Sequence, residues 1–146
     1  TLFRDKIDDI MEQVKCPVAV FVNRQYREGT TVSFVLGGMI DLFLFSYLDK
    51  MLQNGHSVRL FLFDTDDEEF RGRIDDLQVR YPEQTMIVWF EGVEDLVTEE
   101  KDGLLIMSHL SYTKLSEDEA VMRELSSLLV IRRNKNTGDK NEGLEN

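Results

Sequence analysis

The chain has little of several things: one cysteine, two prolines, two histidines and one tryptophan in 146 residues. A single thiol, Cys16, excludes an internal disulfide and suits a reducing compartment. Positive charge is scarce as well, with 17 Lys and Arg against 28 Asp and Glu and a net charge of −11. That deficit argues against a nucleic-acid partner, which is held through a Lys/Arg surplus. It argues equally against docking on anionic lipid. A long uncharged run is also missing. The most apolar stretch, SFVLGGMIDLFLFSYLDKML (33–52), falls short of the ~20 apolar residues of a membrane span. Gly37 and Gly38 interrupt it, and Asp41 would cost roughly 2.5–3.5 kcal/mol on insertion. We therefore expect no direct membrane insertion of this chain. The opening residues are charged and amphipathic rather than signal-peptide-like. A chain that begins at Thr1 is expected to be part of a longer protein.

What is present is a regular alternation. Residues 2–14 place Leu2, Ile7, Ile10, Met11 and Val14 at helical spacing. Pro17 ends that pattern, and VAVFV (18–22) reads as a buried strand. TVSFVL (31–36) reads as a second strand, and from Met39 a helix is predicted to run to Gln53, stopped by Asn54-Gly55. At 100° per residue its apolar side chains spread over about 200°, wider than an ordinary one-face stripe. Asp41 falls in its first turn, where the helix dipole favours a carboxylate. The rest reads as strand 58–63, helix 67–81, strand 85–90, short acidic helix 93–100, strand 103–108, helix 117–125 and strand 127–133. Apolar strands alternating with helices predict a mostly parallel sheet covered on both faces. The polar tail, 134–146, is expected to be disordered.

Chemistry-bearing motifs are few. Gly37-Gly38 lies where a strand meets a helix, but neither G-x-G-x-x-G nor G-x-x-x-x-G-K-[ST] is present, so a tight turn accounts for it. Asp64, Asp66, Asp67, Glu68 and Glu69 resemble the start of a calcium loop. Glu69 stands where that loop needs glycine, and Asp75 where it needs glutamate, so helix capping is expected and no metal site. His109 follows a strand end, where open α/β sheets take ligands. His56, in an N-G-H turn, is expected in solvent. Cys16 has no histidine partner, and Ser33, Ser108 and Ser111 lack a G-x-S-x-G elbow. Trp89 and the phenylalanines are expected in the core. These residues predict no catalysis and no cofactor.

Six segments carry a family resemblance. CPVAVFVNR (16–24) looks like a Cys/Ser-x-Val-x-Ile/Val-x-Val-Asp-Arg strand. VSFVLGG (32–38) looks like Val-x-Phe-Phe-Gly-Gly. HSVRLFLF (56–63) followed by DDEEF (66–70) looks like the next strand with its Asp-Glu-x-Phe. DGLLIMSH (102–109) and ELSSLLVIRR (124–133) resemble the last two strands. Together, over about residues 2–133, they resemble the C-terminal cytosolic region of cation:proton (Na+/H+) antiporters. That region is similar to universal stress proteins, often in two tandem copies. The resemblance implies a three-layer flavodoxin-like sandwich with a mostly parallel five-stranded sheet in the order 3-2-1-4-5. One extra N-terminal strand, 18–22, should lie against the closing strand 127–132. Residues 1–24 would end a preceding half, and 25–133 would form a complete second half.

The implied function is a non-catalytic regulatory or assembly domain on the cytoplasmic side of the cell membrane, attached to its own transmembrane transporter upstream. ATP-binding stress proteins carry G-x-x-G-x9-G-[ST] after their fourth strand. Here those positions are Ser108, Ser111, Val121 and Met122, so the glycines that admit phosphate are missing. A degenerate nucleotide pocket at Gly37, Gly38, Ser108 and His109 is the alternative. The wide apolar arc and the N-terminal strand predict a homodimer through Val18, Val20 and Val22, or through Phe43, Phe45 and Tyr47.

Overall fold

The structure is a computed structural model that describes residues 7, 8, 10, 17–98 and 101–133. The helix predicted over 2–14 falls mostly outside these residues, as do Cys16 and the tail 134–146. Ile7, Asp8 and Ile10 are helical.

The predicted strands form one sheet: β1 (Val18–Val22), β2 (Val32–Leu36), β3 (Val58–Phe63), β4 (Thr85–Phe90), β5 (Leu104–Ser108) and β6 (Ser127–Arg132). The order across the sheet is β1-β6-β5-β2-β3-β4. All neighbours are parallel except β1 and β6, which pair antiparallel with Val20 opposite Val130. Counted from β2, the parallel part reads 3-2-1-4-5, and strand 18–22 lies on the closing strand, both as expected.

The central strands are predominantly apolar because both faces are covered, with Ser33, Arg59 and Ser108 the exceptions in β2, β3 and β5. On one face Val35, Phe61, Leu105, Met107, Leu128 and Val130 pack with Ile7, Leu96, Tyr112, Leu115, Val121 and Leu125. On the other, Phe34, Leu36, Leu60, Leu62 and Ile106 pack under α1 (Phe45–Gln53) and α2 (Glu68–Arg80), through Leu48, Leu52, Phe70, Ile74 and Leu77. Asp67 caps α2: its Oδ1 accepts from the N–H groups of Glu69 and Phe70 at 3.0 and 3.2 Å. Capping thus accounts for Asp67 within the acidic cluster at the end of β3.

Four expectations need correction. The helix predicted over 39–53 is two segments, a 3-10 helix Met39–Leu44 followed by α1. A three-residue period puts Asp41 and Leu44 on one side, and both are buried. The 100° plot therefore does not hold for its first half. The acidic helix predicted over 93–100 is a single 3-10 turn, Val93–Leu96, with residues 99 and 100 outside the description. An unpredicted helix, α3 (His109–Leu115), follows β5 directly and precedes α4 (Glu119–Glu124). Finally, Trp89 is 39% and Phe21 48% exposed rather than core. Both lie on edge strands, where one neighbour is missing. The Arg71 guanidinium covers the Trp89 ring at 4.3 Å.

Candidate functional site

In the sheet order, β2 connects onward to β3 on one side and β5 to β6 on the other. The chain changes direction between them, and open α/β sheets take ligands in the crevice beyond the carboxyl ends of such strands. Gly37 and Gly38 leave β2 there, and Ser108 and His109 leave β5 there. The structure thus brings the four candidate residues to one end of the sheet.

The centre of that end is a carboxylate. Asp41, in the first turn of the 3-10 helix, is 1% exposed. Its Oδ2 accepts from the Gly37 N–H at 2.6 Å and from the Ser111 hydroxyl at 3.2 Å. Its Oδ1 is buried and has no hydrogen-bond partner among the described residues. The Ser108 hydroxyl caps α3 by accepting from the Ser111 N–H at 3.1 Å. Gly37 is required by this closeness: a Cβ there would stand 3.2 Å from Asp41 Oδ2 and 3.6 Å from Ser111 Oγ. Gly38 is required by its backbone, with φ 126° and ψ −160°, a region open essentially only to glycine.

His109 is engaged elsewhere. Its Nε2 is 2.9 Å from Asp8 Oδ1, tying the N-terminal helical residues to α3, and its ring stacks on Tyr112 at 6.4 Å between centroids. Asp41 is the site residue that the sequence reasoning assigned to the helix dipole alone. One signal pointed to it: it is the sole charge between Val32 and Leu48.

The arrangement has definite chemical consequences. A phosphate oxygen arriving at the Gly37 N–H would meet a carboxylate already bound there, and like charges repel in a dry site.

At the opposite, amino end of β2, β3 and β4 lies a groove of about 880 Å3, lined by residues that include Tyr26, His56, Arg59, Glu83 and Met86. His56 is exposed there, as expected.

The residues expected at an interface are partly used within the domain. Val22 is buried, and Val18 and Val20 pack against the core on one face of β1. Phe45 meets Phe70 edge-to-face at 6.5 Å, and the Arg133 guanidinium lies 5.3 Å from the Phe43 ring. Tyr47 is 46% exposed, and Phe21 stands on the other face of β1 from the valines.

No family model, no curated protein and no solved structure matches the chain. Among the described residues, no helix is long and apolar enough to cross a membrane.

Proposed function

We propose that this chain is a non-catalytic regulatory or assembly domain of a membrane monovalent cation:proton antiporter, placed on the cytoplasmic side. Its fold is read as a flavodoxin-like three-layer sandwich similar to universal stress proteins. The observation that carries the reading is the antiparallel pairing of β1 with β6 beside a parallel order of 3-2-1-4-5. That is how the end strand of one stress-protein-like half would meet the end strand of the next. Such a domain acts by binding one conformation of the transporter more tightly than another and so shifting their populations. The coding sequence upstream of Thr1 tests the placement: it should encode about a dozen hydrophobic spans of ~20 residues each. Deleting residues 1–146 from the parent should then shift the pH dependence or the maximal rate of transport. Complete loss of transport with normal membrane insertion would assign a purely structural role.

The same reading includes self-association as a two-fold dimer. Strand β1 is an edge without a charged residue, and edges of that kind invite pairing. Light scattering that finds only monomer at high concentration would contradict the dimer.

A nucleotide-sensing module with a degenerate pocket is the second reading, favoured only by the position of Gly37, Gly38, Ser108 and His109 at the turning point of the sheet. The Asp41 carboxylate on the Gly37 N–H opposes it. Calorimetry should find no binding of ATP or AMP tighter than about 1 mM. Saturable heat at micromolar nucleotide would instead establish this second reading.

A further inference from the structure

Asp41 is the single buried acidic side chain among the described residues, and no Lys, Arg or His pairs with it there. A buried carboxylate is costly unless its charge is balanced and its oxygens are satisfied. Among the described residues Oδ2 meets two donors, but Oδ1 meets none. The hydroxyl of Ser111 lies 3.2 Å from Oδ2, and that of Ser108 is held 3.1 Å from the Ser111 N–H; both serines are at least nine-tenths buried. Oxygen donors select a hard cation over a soft one. One carboxylate balances one positive charge, and no three His, Cys, Asp or Glu side chains converge among the described residues. Magnesium, which keeps several of its waters, suits neither the charge nor the burial.

We propose that the crevice between the ends of β2 and β5 binds one monovalent alkali cation, sodium or potassium. The ion sits on Asp41 Oδ1, with the Ser111 hydroxyl on the same carboxylate and the Ser108 hydroxyl one hydrogen bond further on. Gly37 then has a further role: by lacking a Cβ it lets the backbone N–H hold Oδ2 and so turns Oδ1 toward the ion. The Ser111 hydroxyl, donating to Oδ2, orients the same carboxylate. This proposal rests on local geometry and is independent of the antiporter reading.

The test is thermal unfolding of the chain in sodium, potassium and choline chloride at equal ionic strength. An ion present at ten times its dissociation constant multiplies the folding constant about elevenfold. For a domain of this size that raises the Tm by roughly 3–6 °C over choline. The increment should saturate with concentration, differ between sodium and potassium, and vanish in Asp41→Asn. Should Asp41→Asn not fold, Ser111→Ala takes its place. Loss of a partner that orients a ligating carboxylate should raise the half-saturating concentration about tenfold. Equal Tm in all three salts overturns the proposal. So does an increment that survives Asp41→Asn, or a midpoint that Ser111→Ala leaves unchanged. An increment linear in salt, without saturation, also overturns it, because that is diffuse screening of an acidic surface.

Discussion

Replacing Gly37 with alanine tests whether Asp41 organises the crevice. The backbone of Gly37 lies outside the left-handed region, so alanine brings no dihedral strain. Its Cβ would stand 3.2 Å from Asp41 Oδ2, inside comfortable contact, and 3.6 and 3.7 Å from Ser111 Oγ and Phe63 Cδ2, which is ordinary contact. The carboxylate must therefore retreat and stretch the 2.6 Å bond it accepts from the Gly37 N–H. A hydrogen bond to a charged group contributes about 1.5–3 kcal/mol. Against that, alanine restricts the unfolded chain and gains about 0.4–1 kcal/mol. Gly37→Ala should thus destabilise by about 1–2 kcal/mol in the native background. In Asp41→Ala the obstruction is gone, and the same substitution should stabilise by about 0.4–1 kcal/mol. The sign reverses, and the coupling of roughly 1.5–3 kcal/mol is within the range of residues in direct contact. Urea unfolding followed by far-ultraviolet dichroism on the four proteins of the cycle measures it. An osmolyte such as TMAO can hold the weakest variant folded. An equal cost for Gly37→Ala in both backgrounds would refute the reasoning, since the alanine would then be clashing with something other than Asp41.

Three further outcomes are expected. Gly38→Ala should cost about 1–3 kcal/mol in both backgrounds, because its strain is in the backbone and nothing lies within 4 Å of its Cβ; rescue by Asp41→Ala would contradict this. Phe70→Ala, which truncates a ring with 0% exposure between α2 and the sheet, should cost about 3–5 kcal/mol in the same urea assay. Arg27→Ala breaks two hydrogen bonds to Asp102 Oδ2 at 2.9 and 2.7 Å, yet the Arg27 side chain is 76% exposed. Its loss should stay under about 1 kcal/mol and shrink with added salt, and a larger effect would mean that the pair anchors the loop before β2.

Much of the architecture was legible because burial leaves a simple trace. Strands covered on both faces are apolar at nearly every position, and VSFVL, VRLFLF and LLIMS, each with a single polar residue, announce themselves that way. The helix of residues 109–115 left no such trace. Its inward residues Tyr112 and Leu115 make one turn only, while Leu110 is exposed and Ser111 turns to Asp41. A single turn at helical spacing is too short a signal to separate from a loop. Trp89 and Phe21 were misplaced for a different reason. Apolar type predicts burial, but whether a strand lies at the centre or the edge is a property of the assembled sheet.

The sequence alone determined the composition of the layers and the positions of the turns. Each of these follows from side-chain type and short-range spacing. Only the tertiary structure decided what Asp41 does. A helix dipole, an exposed turn and a buried crevice all accept an aspartate in a first turn. Choosing among them required a 3-10 period in place of an α period. It also required the end of β5 to bring Ser108 and Ser111 alongside β2 from some 70 residues away. Long-range placement of that kind is encoded in the packing of the whole sheet, not in any window of the chain.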